Sequence, residues 1–152
     1  MENTKIKAIL ETIISNANKL VPGFLENPLD FKINEGNVSM CIIDMEGRVY
    51  GIMWGKDKVR QRQTYQTAWR KASQVWMTGI ATGKFEEFVY TGKVDLRKYG
   101  IQNPDLIGWQ GGWPILIDNE LQLAIAVSGM RGETDTEMVS QAVQNIGKLL
   151  RL

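Results

Sequence analysis

The chain contains no histidine. That absence removes the commonest metal ligand, the usual acid/base at neutral pH and the usual proximal ligand of haem iron. A His-based zinc site, a Ser-His-Asp triad, a Cys-His pair and an H-E-x-x-H helix are all excluded, and no metal site is expected. Cysteine is nearly absent as well. Cys41 stands alone, so no internal disulfide can form, which fits a reducing compartment. Apolar runs are short, none near the roughly 20 residues of a membrane span. A surplus of one charge sign is also missing: the net charge is +1, giving no electrostatic reason to expect nucleic acid or an anionic membrane as partner. Met1-Glu2-Asn3-Thr4-Lys5 lacks the basic stretch, apolar block and small-residue cleavage site of a secretory leader, so a cytoplasmic protein is expected.

What is present is ordinary globular composition, 43% hydrophobic and 23% charged over 152 residues, enough to bury a core; a single domain over 1–152 is expected. Apolar residues from Ile6 through Ile9, Leu10, Ile13, Ile14 and Ala17 to Leu20 form one stripe at helical spacing, closed by Pro22-Gly23. The segment 24–36 reads as a connector. Val38–Met45 and Val49–Gly55 alternate as strands around a Glu46-Gly47 turn. A second helix carries Tyr65, Ala68, Trp69, Ala72, Val75 and Trp76 on its apolar face, with Gln63, Gln66, Arg70, Lys71 and Gln74 opposite, and ends near Gly79. Phe85–Tyr90, aromatic and β-branched, is expected as a third strand, 95–100 as a short helical turn and Asn103-Pro104-Asp105 as a break. Trp113–Ile117 and Leu121–Ser128 form a second hairpin around Asp118-Asn119-Glu120. The last helix starts near Thr134, with Glu137 completing a capping box, and its stripe runs from Met138 through Val139, Ala142, Val143 and Ile146 to Leu149 and Leu150. Two hairpins with helices between them predict an α+β fold: a mostly antiparallel sheet of about five strands covered by helices.

Several of these segments resemble a known family. Thr64-Tyr65-Gln66-Thr67-Ala68-Trp69-Arg70-Lys71-Ala72 is similar to the A-x-x-K-A helix of GlcG/HbpS-like, or haem-degrading, domains. Gly111-Gly112-Trp113-Pro114-Ile115 resembles their Gly-Gly-x-Pro segment. Ala126-Val127-Ser128-Gly129, with Asp135 six residues on, resembles their Val-Ser-Gly…Asp close, and Ile43-Asp44-Met45-Glu46-Gly47 fits their strand-Asp-x-x-Gly pattern. The ordered set covers about the last three quarters of the chain. The resemblance implies a profilin-like α-β-α domain, homo-oligomeric assembly, and a small-molecule pocket between the long helix and the glycine loop. It also brings haem into view as a cofactor. With no histidine, a haem role would fall to Cys41, a methionine, a tyrosine or no protein ligand at all.

Each candidate site residue has a functional and a structural reading. Gly111 and Gly112, ahead of Trp113 and Pro114, let backbone N–H groups approach a ligand, or simply permit a sharp strand start. Ser128-Gly129-Met130-Arg131 leads into the last helix, where free N–H groups, the helix dipole and the Arg131 guanidinium favour an anion, or where Thr134 and Asp135 only cap. Trp109 is a candidate flat wall for a pocket or an oligomer contact; Trp69 and Trp76 read as core. Arg62, within a basic cluster of Lys56, Lys58, Arg60, Arg70 and Lys71, touches an anionic partner or is solvated. Cys41 reads as inert packing. Asp44, Asp135 and Tyr65 are the candidate acid/base groups, together with a lysine shifted by burial.

Three functions remain open at this level. One is a homo-oligomeric domain binding a planar or anionic small molecule, haem or another tetrapyrrole included. The second is an enzyme acting on a small carbonyl, carboxylate or natural-product intermediate. The third is a structural assembly module.

Overall fold

The computed structural model describes residues 3–102 and 105–147. The expectations at Asn103, Pro104, Leu149 and Leu150 lie outside these residues. The order is α1 (Asn3–Phe24), α2 (Pro28–Asn34), β1 (Val38–Asp44), β2 (Val49–Trp54), α3 (Lys58–Thr78), α4 (Thr82–Tyr90), a 3-10 turn (Leu96–Tyr99), β3 (Gly112–Ile117), β4 (Glu120–Ser128) and α5 (Gly132–Ala142). The class is α+β, as expected. The sheet has four strands rather than about five, all antiparallel, in the order β2-β1-β4-β3.

The sheet is covered on both faces. Ile9, Ile13 and Ala17 of α1 pack with Met138 and Ala142 of α5 on Met40, Ile42, Leu123, Ile125 and Val127. On the other face, Ala68, Ala72 and Val75 of α3 lie against Cys41, Ile43, Ala124 and Ala126. A strand between two helical layers is buried on both sides, which is why β1 is buried at every position. Ile9 and Ile13 are fully buried, each contributing roughly 1.5–3 kcal/mol.

Both hairpins form as expected. Asp118 and Asn119 both take positive φ (52° and 65°), the backbone of a tight two-residue turn. Other expectations need correction. Helix α1 runs through Pro22 to Phe24, because a proline there removes only its own bond, while the Leu25 N–H still reaches the Val21 carbonyl at 3.1 Å. The connector holds α2: the Asn27 side chain accepts from the Leu29 N–H at 2.9 Å, and Pro28 sits at the first helical position. Phe85–Tyr90 is helical in α4; Thr82 and Phe85, one turn apart, are its buried positions.

On α3 the buried face is Thr64, Ala68, Lys71, Ala72, Gln74 and Val75. Trp69 and Trp76 are 46% and 39% exposed, not core. The sheet opposite presents alanines, so α3 approaches closely and only small residues fit between. The indoles lie to the side, where the Trp76 Nε1–H donates to the Asp44 carbonyl at 2.9 Å. Helix α5 begins at Gly132, with no side-chain cap, so Thr134 is within the helix rather than its cap. Asn145, at φ 70°, turns the chain beyond Ala142. Among the described residues no helix is long and apolar enough to cross a membrane.

Candidate functional site

The sheet's register puts the end of β4 (Ser128) beside Ser39 at the start of β1. Gly129 follows at φ 125°; a Cβ there would lie 2.3 Å from the Asn37 carbonyl oxygen, so the turn into α5 closes only with glycine. The turn, the middle of α3, the end of α2 and the loop 108–110 surround a cleft of about 680 Å³. Its walls mix apolar surface with hydrogen-bonding groups, among them Asn34, Gln63, Thr67, Gln110 and Ser128, and Trp109 stands at the rim, 69% exposed.

At the inner end is an ion pair. Lys71 and Asp135 are each 2% exposed, and both line the cleft. The Lys71 Nζ donates to the Val127 carbonyl at 2.9 Å and to Asp135 Oδ2 at 3.3 Å; Asp135 Oδ1 accepts from the Met130 N–H at 3.1 Å. Burial disfavours charge on both. It lowers the Lys71 ammonium's pKa against the opposing pull of Asp135, and it pushes the Asp135 carboxyl up to about 7 despite Lys71 and the Met130 N–H. Both move toward the neutral amine and acid.

The loop that carries the rim is fastened by two residues that no sequence motif singles out. The buried Gln74 amide accepts from the Ile107 N–H at 3.0 Å and donates to the Ile107 carbonyl at 2.9 Å. The Thr82 hydroxyl donates to the Trp109 carbonyl at 2.7 Å and accepts from the Gly112 N–H at 3.2 Å. Gly111 and Gly112 are placed behind the cleft. Gly111 (φ 118°) packs on Lys71 and Asp135, and a Cβ on Gly112 would meet Thr82 at 2.6 Å. Trp113 and Pro114 lie on edge strand β3, outside the lining.

Arg131 borders the cleft, but its guanidinium is engaged by Asp30 at 2.9 and 3.1 Å and by Glu133 at 3.0 Å. It is not a free anion clamp, and the Asp30 contact ties α2 to the start of α5. Arg62 is exposed on α3, away from the lining. The three acid/base candidates do not meet. Asp44 ends β1, five residues from Ser39, or roughly 17 Å along the strand. It accepts from the Arg48 Nε at 2.7 Å and from the Glu46 and Arg48 N–H groups, closing the first hairpin. Tyr65 points its hydroxyl at the Cys41 Sγ, 3.8 Å away, and burial raises it to about 12. Only Asp135 lies in the cleft.

Burial alone would raise Asp30 and Asp44, but hydrogen bonds from Arg131 and Thr134 to the first, and from Arg48 and Glu46 to the second, hold both below the ordinary 3.8. A carboxyl depressed on folding adds stability that is complete above its unfolded value and is lost as pH falls through the folded one. Urea midpoints are therefore expected to fall steeply below about pH 4, and Asp30→Asn to flatten that limb; an unchanged acid limb in the variant would remove Asp30 from this role.

The matching family model is that of the haem degrading protein HbpS-like family, over residues 32–144. The chain belongs to this family. Solved structures with the same fold include HbpS (TM-score 0.60, 18% identity, covering 91% of this chain and 89% of that one) and the Klebsiella pneumoniae protein ORFY (0.58, 17%, 86% and 85%). A PduOC–haem complex is also similar (0.59, 16%, 97% and 95%). At these identities the likeness is one of fold. A search of curated proteins returned no match.

Proposed function

We propose that this HbpS-like chain is a small-molecule-binding domain whose ligand occupies the cleft between α3 and the Ser128–Arg131 turn. The observation that carries this is a cleft of about 680 Å³, within the usual size of ligand sites, where apolar surface and several amide and hydroxyl groups surround a buried Lys71–Asp135 pair. Lys71 is balanced by Asp135, and Arg131 by Asp30 and Glu133, so the cleft offers no surplus positive charge to an anion. The reading therefore shifts from a planar or anionic ligand to a neutral, oxygen-bearing one.

Haem enters through the family's description and the PduOC complex. The lining contains no histidine, cysteine, methionine or tyrosine. Cys41 is buried in the sheet under Tyr65, out of reach of the cleft. These residues do not fit an axially ligated haem.

Self-association is the other half of the reading. The outer side of α3 exposes Trp69, Trp76 and Met77 beside Tyr99 and Ile101, an apolar groove that a second copy would cover. Native mass spectrometry of freshly purified protein tests both halves: the expected result is an oligomer retaining an organic ligand that is absent from Thr67→Trp, whose indole fills the cleft. A monomer defeats the assembly half. Equal ligand retention by Thr67→Trp defeats the cleft half, and a Soret shift on titration with stoichiometric haem defeats the neutral-ligand assignment.

A further inference from the structure

We propose that the Lys71 amine, at the inner end of the cleft, forms an imine with a small neutral aldehyde or ketone, with Asp135 carrying the protons. This rests on the cleft being the ligand site, and it names the chemistry of that ligand.

Three observations converge on it. First, Lys71 lines the cleft although its side chain is almost wholly enclosed, on the same face of α3 as Ala68, Ala72 and Val75. Lysine is seldom found in such a position unless it is paired. Second, the pair is costly for the fold. A buried ion pair is often no better for stability than well-packed apolar residues of the same volume, so its presence calls for another reason. Third, a single proton separates two states across 3.3 Å: an ammonium facing a carboxylate, and an amine facing a carboxylic acid. The second state contains both species that imine formation needs, a nucleophilic amine and an acid within reach of it. The ionisable groups nearby are few. Asp135 of α5 faces Lys71 directly, while Arg131 at the same helix start is paired with Glu133 and with Asp30 of α2, whose charge also raises Asp135. The burial that lowers Lys71 and raises Asp135 moves the balance from the charged pair toward the amine–acid state.

The step balances without an oxidant or reductant. The amine lone pair attacks the carbonyl carbon, a C–N bond forms, and the carbonyl electron pair moves to oxygen, which takes the proton of the Asp135 carboxyl. The carboxylate recovers a proton from the attacking nitrogen, leaving a neutral carbinolamine. Asp135 protonates the hydroxyl again, and the C–O bond breaks with loss of water. The remaining N–H proton returns to Asp135 as the C=N bond is completed. Both nitrogen protons and the carbonyl oxygen leave as water.

The test is reductive trapping on the whole chain, with butanal as a neutral probe, pyruvate as a charged one, and cyanoborohydride as the trapping reagent, read by peptide mapping. Butanal is expected to label Lys71 at least about tenfold faster than the exposed Lys7, Lys19, Lys32 and Lys58, because a depressed amine is more often neutral. Thr67→Trp and Lys71→Arg should lose that label; circular dichroism checks that each is folded, and the mapping of the wild-type chain does not depend on either. Exposed lysines labelled as fast as Lys71 would overturn the proposal. Butanal that raises the melting temperature without labelling Lys71 overturns the imine while leaving the cleft in place. Labelling by pyruvate alone overturns the neutral-substrate assignment.

Discussion

Replacement of Asp135 by alanine is expected to destabilise the chain by about 3–5 kcal/mol, the range for breaking a buried pair by removing one partner. The loss has two sources. The Lys71 Nζ keeps only the Val127 carbonyl as partner while 2% exposed, and the Met130 N–H loses its acceptor. The lysine can relieve part of the cost by giving up its proton, which gives the effect a pH signature. A lysine depressed on folding contributes fully above its unfolded value of 10.5, and that contribution is lost as pH falls through the folded value. The deficit of Asp135→Ala relative to wild type should thus be larger at pH about 7 than at pH about 10. Urea unfolding at the two pH values checks this. The double variant Lys71→Met/Asp135→Leu removes both charges and should recover most of the loss. A single variant as stable as the double one would mean that the pair is not held as a charge-coupled unit.

The second large effect is expected at Gly111. Alanine there would need φ 118°, which L-residues rarely adopt, and its Cβ would lie 2.6 Å from the Val127 carbonyl oxygen, 2.9 Å from the Lys71 Nζ and 3.0 Å from the Asp135 Cβ. Backbone strain of about 1–3 kcal/mol adds to a comparable overpacking cost, about 2–6 kcal/mol in all. The relevant control is Gly23→Ala. Gly23 lies in α1 at an ordinary helical φ, with nothing within 4 Å of an added Cβ, and alanine there should be neutral or stabilising by up to about 1 kcal/mol. Thermal unfolding of the two variants separates the readings: if both behave alike, Gly111 is not the close-packed backing of the Lys71–Asp135 pair.

These effects show which parts of the molecule can be read from sequence. Helix α1, both hairpins and the Gly79 end of α3 were legible because they follow local rules: period, turn chemistry and a left-handed cap, at φ 71°. The helix α2 has a local signal too, Asn27 followed by Pro28, but its two short turns are masked by mixed polarity. Phe85–Tyr90 misleads because aromatic and β-branched residues suit any half-buried surface, so their β preference does not decide between strand and helix.

The site was harder. Asp135 and the Ser128–Arg131 turn were within reach, since a strand-to-helix junction is visible in the sequence. Lys71 reads as a polar-face residue because lysine ordinarily is solvated. The overlooked clue is its phase: Thr64, Ala68, Lys71 and Val75 recur at intervals of four, three and four, the stripe of a buried face made of small residues. That stripe gains meaning only with the alanines of β4 opposite, which are tertiary information. Arg131 fails as an anion clamp for the same reason, because Asp30 reaches it from 101 residues away in sequence.

The edge strand β3 has one more implication. The Gly111 carbonyl accepts from the Val127 N–H at 3.0 Å, so hydrogen-bonded pairs alternate from that point, and Pro114 falls on a pair whose backbone nitrogen faces away from β4. The position that lacks a hydrogen is thus the one that would have reached toward an incoming strand. A neighbouring chain cannot extend the sheet past Pro114 with an unbroken ladder. Growth into cross-β fibres along this border is therefore disfavoured, and a copy that meets the chain along β3 must do so through side chains.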